Sequence, residues 1–166
     1  MKRLIAVSDS HGCVENLRDA FLQARESGPI DVAVFLGDGV SDFDRVAPML
    51  QMEGTLCFAV AGNNDYGAEE PKERVISVNG LRIFLCHGHT TKVKWGLQTL
   101  NYRAREEEAP IALYGHTHMA DVCSEEGVLM ANPGAICNRK PGRGAYIELK
   151  VENDGAFLWR QVAWRK

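Results

Sequence analysis

Apolar residues along this chain fall in short runs that stop at polar, glycine-marked clusters. Residues 3–7 (Arg3-Leu4-Ile5-Ala6-Val7) stop just before Asp9. Residues 31–36 stop at Gly37-Asp38-Gly39, and residues 56–60 stop before Gly62-Asn63-Asn64-Asp65. Short apolar runs bounded by turn formers read as buried strands. Between the first two, Leu17, Ala20, Phe21, Leu22 and Ala24 mark one face of a helix over 16–25, which Gly28-Pro29 stops. A second helix is expected over 44–50. Strand, helix, strand, helix, strand implies a parallel sheet with right-handed crossovers.

The second half has a different pattern. Runs 74–78 and 81–86 flank Asn79-Gly80, a strong hairpin signal. A helix is expected over 95–107, closed by Pro110, with Trp95 and Tyr102 packed in the core. Residues 111–114 form a short strand that delivers Gly115-His116. Residues 121–124, 127–131, 145–151 and 157–164 read as antiparallel strands, separated by Glu126-Gly127, Asn132-Pro133-Gly134 and Asp154-Gly155. The expected fold class is α/β, a four-layer αββα sandwich of two mixed sheets with helices outside. No repeat or linker divides the chain, so residues 1–166 are expected to form one domain.

Every polar cluster falls at the C-terminal end of an expected strand, where open α/β sheets bind ligands. All five histidines lie in these clusters: His11, His87, His89, His116 and His118. Imidazole is the commonest metal ligand among side chains. Alternate residues of an extended segment point the same way, so Asp9 and His11 are expected to grip one ion. Asp38 has two oxygens and can bridge two ions, Asn63 offers a carbonyl oxygen, and His87, His116 and His118 add nitrogen. Seven such ligands are too many for one tetrahedral zinc and suit two ions with a shared carboxylate. Each motif alone also reads as a turn or a packed residue; their joint occurrence in this order does not.

Bulk properties narrow the field. The apolar share of 45% supports a real core, and the net charge of -3 argues against a general polyanion binder. Nucleic acid is therefore disfavoured as a partner. Arg160, Arg165 and Lys166 near Trp159 and Trp164 make a basic end too short to change that. Only four apolar residues precede Ser8, too few for a signal-peptide core of roughly 7–15 residues. No run reaches the roughly 20 residues of a membrane span. A cytoplasmic protein without a membrane partner is expected. The five cysteines are dispersed and read as reduced thiols, most of them small buried hydrophobes. A homo-oligomer stays open.

The order Asp9-x-His11, Gly37-Asp38, Gly62-Asn63-x-Asp65, His87-Gly88-His89 and Gly115-His116-Thr117-His118 resembles the calcineurin-like metallophosphoesterase superfamily. The short length and Asn132-Pro133-Gly134-Ala135 resemble its small phosphodiesterase branch, which also contains a retromer subunit that lost much of the site. The resemblance runs from Ala6 to about Gly144. It implies one ion held by Asp9, His11, Asp38 and His118, and a second by Asp38, Asn63, His87 and His116. Manganese is the leading expectation, with iron, zinc or nickel permitted by the same ligand types. It further implies attack on a small phosphoester by a water or hydroxide between the ions, with Asn63 and His89 as catalytic residues. A phosphodiesterase is the leading reading; a phosphomonoesterase or nucleotide phosphatase, or a silent interaction scaffold, are the alternatives.

One departure matters. Many relatives carry histidine where this chain has Asn64, and an amide cannot donate a proton at neutral pH. His89 is the one imidazole without a ligand role, and it is expected to meet phosphate or leaving group. Asn64 and Arg139, the latter in a basic loop over 132–143, are further candidates for substrate contact. Asp65 is expected to orient Asn63 or a ligand histidine.

Overall fold

The computed structural model describes residues 1–165; Lys166, the last residue of the basic end, lies outside the described residues. The chain runs β1 (Lys2–Val7), α1 (Val14–Arg25), β2 (Val32–Phe35), α2 (Val40–Gln51), β3 (Leu56–Ala59), β4 (Glu73–Val78), β5 (Leu81–Cys86), α3 (Gln98–Glu106), β6 (Ile111–Leu113), β7 (Asp121–Glu125), β8 (Val128–Asn132), β9 (Gly144–Val151) and β10 (Phe157–Ala163). Two five-stranded mixed sheets result, ordered β10-β9-β1-β2-β3 and β4-β5-β6-β8-β7.

Alternation along the strands builds the layers. Ile5, Val7, Ala33 and Phe35 face α1 and α2, meeting Leu17, Phe21, Phe43 and Leu50. Leu4, Ala6, Val32 and Val34 face the other way and meet Ile83, Leu85, Ile111 and Leu113 of the second sheet. Phe84, Ala112 and Met130 then turn outward to Leu100 and Ala104 of α3. The order is helix, sheet, sheet, helix, as the sequence implies. β1, β2 and β3 are mutually parallel, and so are β5, β6 and β8, so each sheet offers a trio of strand ends on one rim.

Three expectations change. β8 was expected to be antiparallel to its neighbours but pairs parallel with β6, because β7 takes the sheet edge and β8 fills the place between them. α2 starts at Val40 rather than near 44, because the Asp65 carboxylate accepts hydrogen bonds from the Gly39 and Val40 N–H groups at 2.8 and 2.9 Å. That cap comes from a residue 25 positions away, beyond any local signal. α3 starts only at Gln98, after Gly96. It buries Leu100, Asn101 and Ala104, which leaves Tyr102 on the solvent side and Trp95 before the helix, 91% exposed.

One buried ion pair ties the first sheet to α1. Arg3 on β1 and Glu148 on β9 are nearly inaccessible and hydrogen-bonded to each other. Arg3 also donates to the Ala24 and Gly28 carbonyls, both at 2.7 Å, closing the C-terminal end of α1. Burial pushes the Glu148 carboxyl up, but hydrogen bonds from Arg160 and Arg3 outweigh it and hold its pKa below the usual value. Its stabilising contribution is therefore present above the unfolded-state pKa and is lost as pH falls through the lowered folded value. Glu148→Ala, which strands Arg3, is expected to cost about 3–5 kcal/mol in urea denaturation. Glu148→Gln is expected to cost less.

Candidate metal centre

The chain leaves β1 at Val7 and turns sharply, so that Asp9 and His11 come together. Their φ angles of 57° and 44° are left-handed, so they converge through a turn and not through extended alternation as expected from the sequence. Asp38, His116 and His118 are left-handed too, at 59°, 71° and 60°. Five of the nine non-glycine residues with positive φ among the described residues thus belong to the expected ligand set. Each such residue costs about 1–2 kcal/mol, and strain of this kind gathers at functional sites.

Glycines let the strand ends close up. A Cβ on Gly115 would stand 2.0 Å from Ser8 Oγ and 2.6 Å from Asp9 Oδ2, and one on Gly62 would stand 2.2 Å from Asp38 Oδ1. The two sheets meet where these glycines sit. Backbone bonds stitch the turns together: Asp9 N–H to Gly37 O and His11 N–H to Asp38 O, both at 3.0 Å, and Gly115 N–H to His87 O at 2.9 Å.

Six expected ligands fall into two groups, Asp9 with His11 and His118, and Asp38 with His87 and His116; within each group the candidate atoms lie within 4.8 Å of one another. In the first, Asp9 Oδ1 is 3.4 Å from His11 Nε2 and 3.2 Å from His118 Nε2, and the two imidazole nitrogens are 3.1 Å apart. In the second, His87 Nε2 is 3.3 Å from Asp38 Oδ2. Ligands about 2.0–2.2 Å from an ion stand roughly 3.0–3.5 Å from each other, so these spacings fit coordination. The groups adjoin, since His11 Nε2 is also 3.6 Å from Asp38 Oδ2.

Hydrogen bonding aims single atoms at the centre. Asp9 Oδ2 accepts from Ser8 Oγ at 2.5 Å and from His116 N–H at 3.0 Å, while Oδ1 is buried with no partner. His87 Nδ1 is 2.7 Å from the Leu36 carbonyl, which can only accept. Nδ1 therefore carries the hydrogen, and Nε2 is the atom left buried and unpartnered. A buried carboxylate oxygen and a buried imidazole nitrogen, both unpaired and facing one another's group, fit a divalent cation, which would satisfy both.

Charge follows the same plan. Burial works against ionisation of Asp38, but the adjacent His87 imidazole and hydrogen bonds from Asn64 overcome it and hold the carboxyl well below its usual range. Burial also disfavours a charged His87, yet Asp38 and Asp9 reverse this and raise its pKa. His116 goes the other way: burial and the positive charges of His87 and Lys94 push it down to about 4, so its lone pair is free at neutral pH.

The remaining candidates separate. Asn63 is exposed in the loop after β3. Asn64 turns its amide onto Asp38, donating from Nδ2 to Oδ2 at 2.8 Å and from its backbone to Oδ1 at 2.9 Å. Asp65 orients neither Asn63 nor a histidine. Its Oδ2 accepts the N–H groups of Asp38 and Gly62 at 2.7 Å, and its Oδ1 those of Gly39 and Val40. His89 lies beside the centre, its ring 5.5 Å from that of His87 and 6.2 Å from that of His116, with Nδ1 buried and unpartnered. Burial and the charges of His87 and Lys72 keep it neutral. Arg139 is turned away, paired with Asp19 at 2.5 Å and stacked over Trp164 at 4.5 Å.

Sequence reasoning missed two supports. Asp42 is buried on α2 and accepts from Ser10 Oγ at 2.6 Å and Gly12 N–H at 2.8 Å, holding the His11 turn. Asn132 is fully buried; its Nδ2 donates to Gly115 O and Thr117 Oγ1, both at 3.0 Å, and its Oδ1 accepts from Gly134 N–H at 2.9 Å. Its signal was present: an asparagine closing the otherwise apolar run Val128-Leu129-Met130-Ala131.

The model of the calcineurin-like phosphoesterase superfamily domain matches residues 1–154. The chain belongs to this superfamily. A Bacillus subtilis member, named as the probable metallophosphoesterase YsnB, is 31% identical over 93% of this chain and 88% of its own length. A solved phosphoesterase-like protein of Streptococcus pneumoniae is 31% identical with TM-score 0.75, covering 98% of this chain and 89% of that one. Two more distant structures share the fold. An archaeal phosphodiesterase has 21% identity and TM-score 0.70 over 96% of this chain and 99% of that one. The zinc complex of Vps29 from Entamoeba histolytica has 20% identity and TM-score 0.69 over 97% and 98%. The family uses divalent metals, and the two ligand groups are where such a metal fits.

A proton and a cation compete for His87 Nε2, because the carboxylates that would hold the cation also raise the imidazole's pKa. Manganese binding is therefore expected to release protons and to weaken as pH falls below that raised value. Calorimetric titration in buffers of different ionisation enthalpy measures both effects. Asp65→Ala is expected to weaken binding about 10–100-fold in the same titration.

Proposed function

We propose that the protein is a binuclear metal-dependent phosphodiesterase acting on small phosphate diesters. The observation that carries this reading is the pair of adjoining ligand groups, with Asp9 Oδ1 and His87 Nε2 buried and unpartnered between them. In this reading Asp9, His11, Asp38 and His118 hold one ion, and Asp38, Asn63, His87 and His116 hold the other. Manganese leads among the metals that such oxygen and nitrogen ligands accept, ahead of iron, zinc and nickel. When bound, two divalent ions would supply an activated water and offset the charge on phosphate oxygens.

The chain's own residues supply orientation and proton control. Asp65 and Asp42 hold the ligand turns rigid through backbone hydrogen bonds. Asn64 spends its amide on Asp38, which leaves no proton donor at that position. His89, neutral and beside His87 and His116, is the side chain left to hold an N–H at a substrate oxygen. Scarce acid catalysis favours diesters with good leaving groups, and the archaeal phosphodiesterase of like fold supports the same direction. The five unpaired cysteines suit the reducing cytoplasm as its compartment.

Hydrolysis of bis-p-nitrophenyl phosphate with added manganese tests the reading. Turnover is expected, lost with chelator and restored by metal, and reduced at least about 100-fold in Asp38→Ala. A folded, metal-loaded protein that turns over neither diesters nor monoesters would sink it. His89→Ala is expected to lower kcat about 100-fold on an alkyl diester and less on the nitrophenyl ester. Equal kinetics of wild type and variant on both esters would remove His89 from the mechanism.

A further inference from the structure

A cavity of about 510 Å³ opens beside His118, lined among others by Met119, Asn138, Lys140, Arg143 and Gln161. We propose that it is a second anion subsite, which takes a phosphate monoester carried on one arm of the diester substrate. The proposal rests on the hydrolase reading of the adjoining centre and adds the substrate class.

His118 belongs to both places: it lines the cavity, and its Nε2 is 3.2 Å from Asp9 Oδ1. A phosphoester held at the centre would therefore have the cavity within reach of one arm. The volume lies within the roughly 300–1,000 Å³ of small-ligand pockets, enough for a phosphorylated sugar or nucleoside.

The charge of the lining is one-sided. Lys140 and Arg143 line the cavity and no aspartate or glutamate does, although the whole chain carries -3. Neither cation makes an ion pair or a side-chain hydrogen bond among the described residues. Their neighbour Arg139 differs, being paired with Asp19 and stacked on Trp164. Two unpaired cations facing a cavity beside a phosphoester site leave their donors free for an anion. A guanidinium fork and a point-charge ammonium together match the oxygens of a phosphate dianion.

The loop that carries them is anchored. Ile136 N–H donates to Ser8 O at 2.9 Å and Cys137 N–H to Asp9 O at 3.1 Å, which ties its near end to the turn bearing Asp9. Arg143 N–H donates to Lys140 O at 3.0 Å, and Trp164 N–H to Arg143 O at 2.9 Å, which fixes the far end beyond β10. The two cations therefore sit on a turn held at both ends, at a set place relative to the centre. Met119 and Ala163 add apolar surface for the carbon skeleton between the two phosphates.

Thymidine 5′-(p-nitrophenyl phosphate) and its 3′-phosphorylated counterpart differ only in the second phosphate, and both release nitrophenolate. With manganese-loaded full-length protein, KM is expected to be about tenfold lower for the phosphorylated member, with similar kcat. In Lys140→Ala/Arg143→Ala the ratio of the two KM values is expected to collapse to about one. Equal KM values for wild type, or a preference that survives the double substitution, would overturn the subsite. If neither ester is turned over, the hydrolase reading fails on its own. The subsite is then judged by calorimetry, with thymidine 3′,5′-bisphosphate against thymidine 5′-phosphate. Tighter binding of the bisphosphate, lost in the double variant of unchanged melting temperature, supports it, and equal affinity discards it.

Discussion

One carboxylate, that of Asp65, receives four backbone N–H groups, from Asp38, Gly39, Val40 and Gly62. These bonds lash the end of β2 to the end of β3 and cap α2 at once. They also set the Asp38 side chain where His87 and Asn64 reach it. Neutral backbone donors to a charged acceptor are among the stronger hydrogen bonds in proteins. The rest of the centre is placed relative to this knot, because Asp9 and His11 hang from Gly37 and Asp38 by their own backbone N–H groups.

The fold concentrates its irregularities on one rim. Two cores on either side of the first sheet, and a third under α3, are built of ordinary alternating strands and helix faces. Left-handed backbone at Asp9, His11, Asp38, His116 and His118, together with unpaired buried polar atoms at Asp9 and His87, lies where the strands end. Local rules broken in a cluster at one place, and supported there by Asp42, Asp65 and Asn132, are the mark of a site held for chemistry. A cation would relieve the unpaired atoms, which would couple folding to metal loading.

Substrate choice has a different origin. On the proposed reading, the ligand groups would hold the phosphate common to all phosphoesters, and the side chains around them would do the discriminating. Asn64 is occupied with Asp38, His89 waits neutral on one flank, and on the other flank Lys140 and Arg143 face the cavity beside His118. The basic loop over 132–143 read from the sequence as a possible substrate contact, but the structure divides it. Arg139 serves the packing of Trp164, while its neighbours face the cavity.

The sequence by itself determined the strand ends, the hairpin at Asn79-Gly80 and the six residues that gather into two candidate ligand groups. Those features are local: apolar runs, turn formers and short motifs lie within a few residues of one another. Tertiary structure alone decided the direction of β8, the early start of α2, the exposure of Trp95, and the tasks of Asp42, Asp65 and Asn132. All but the exposure of Trp95 depend on a partner many residues away, such as the 25 positions between Val40 and Asp65. Local pattern records which residue types a strand or turn will accept. Which distant carboxylate satisfies a helix's free N–H groups, and which cation finds no partner, is settled only when the sheets pack.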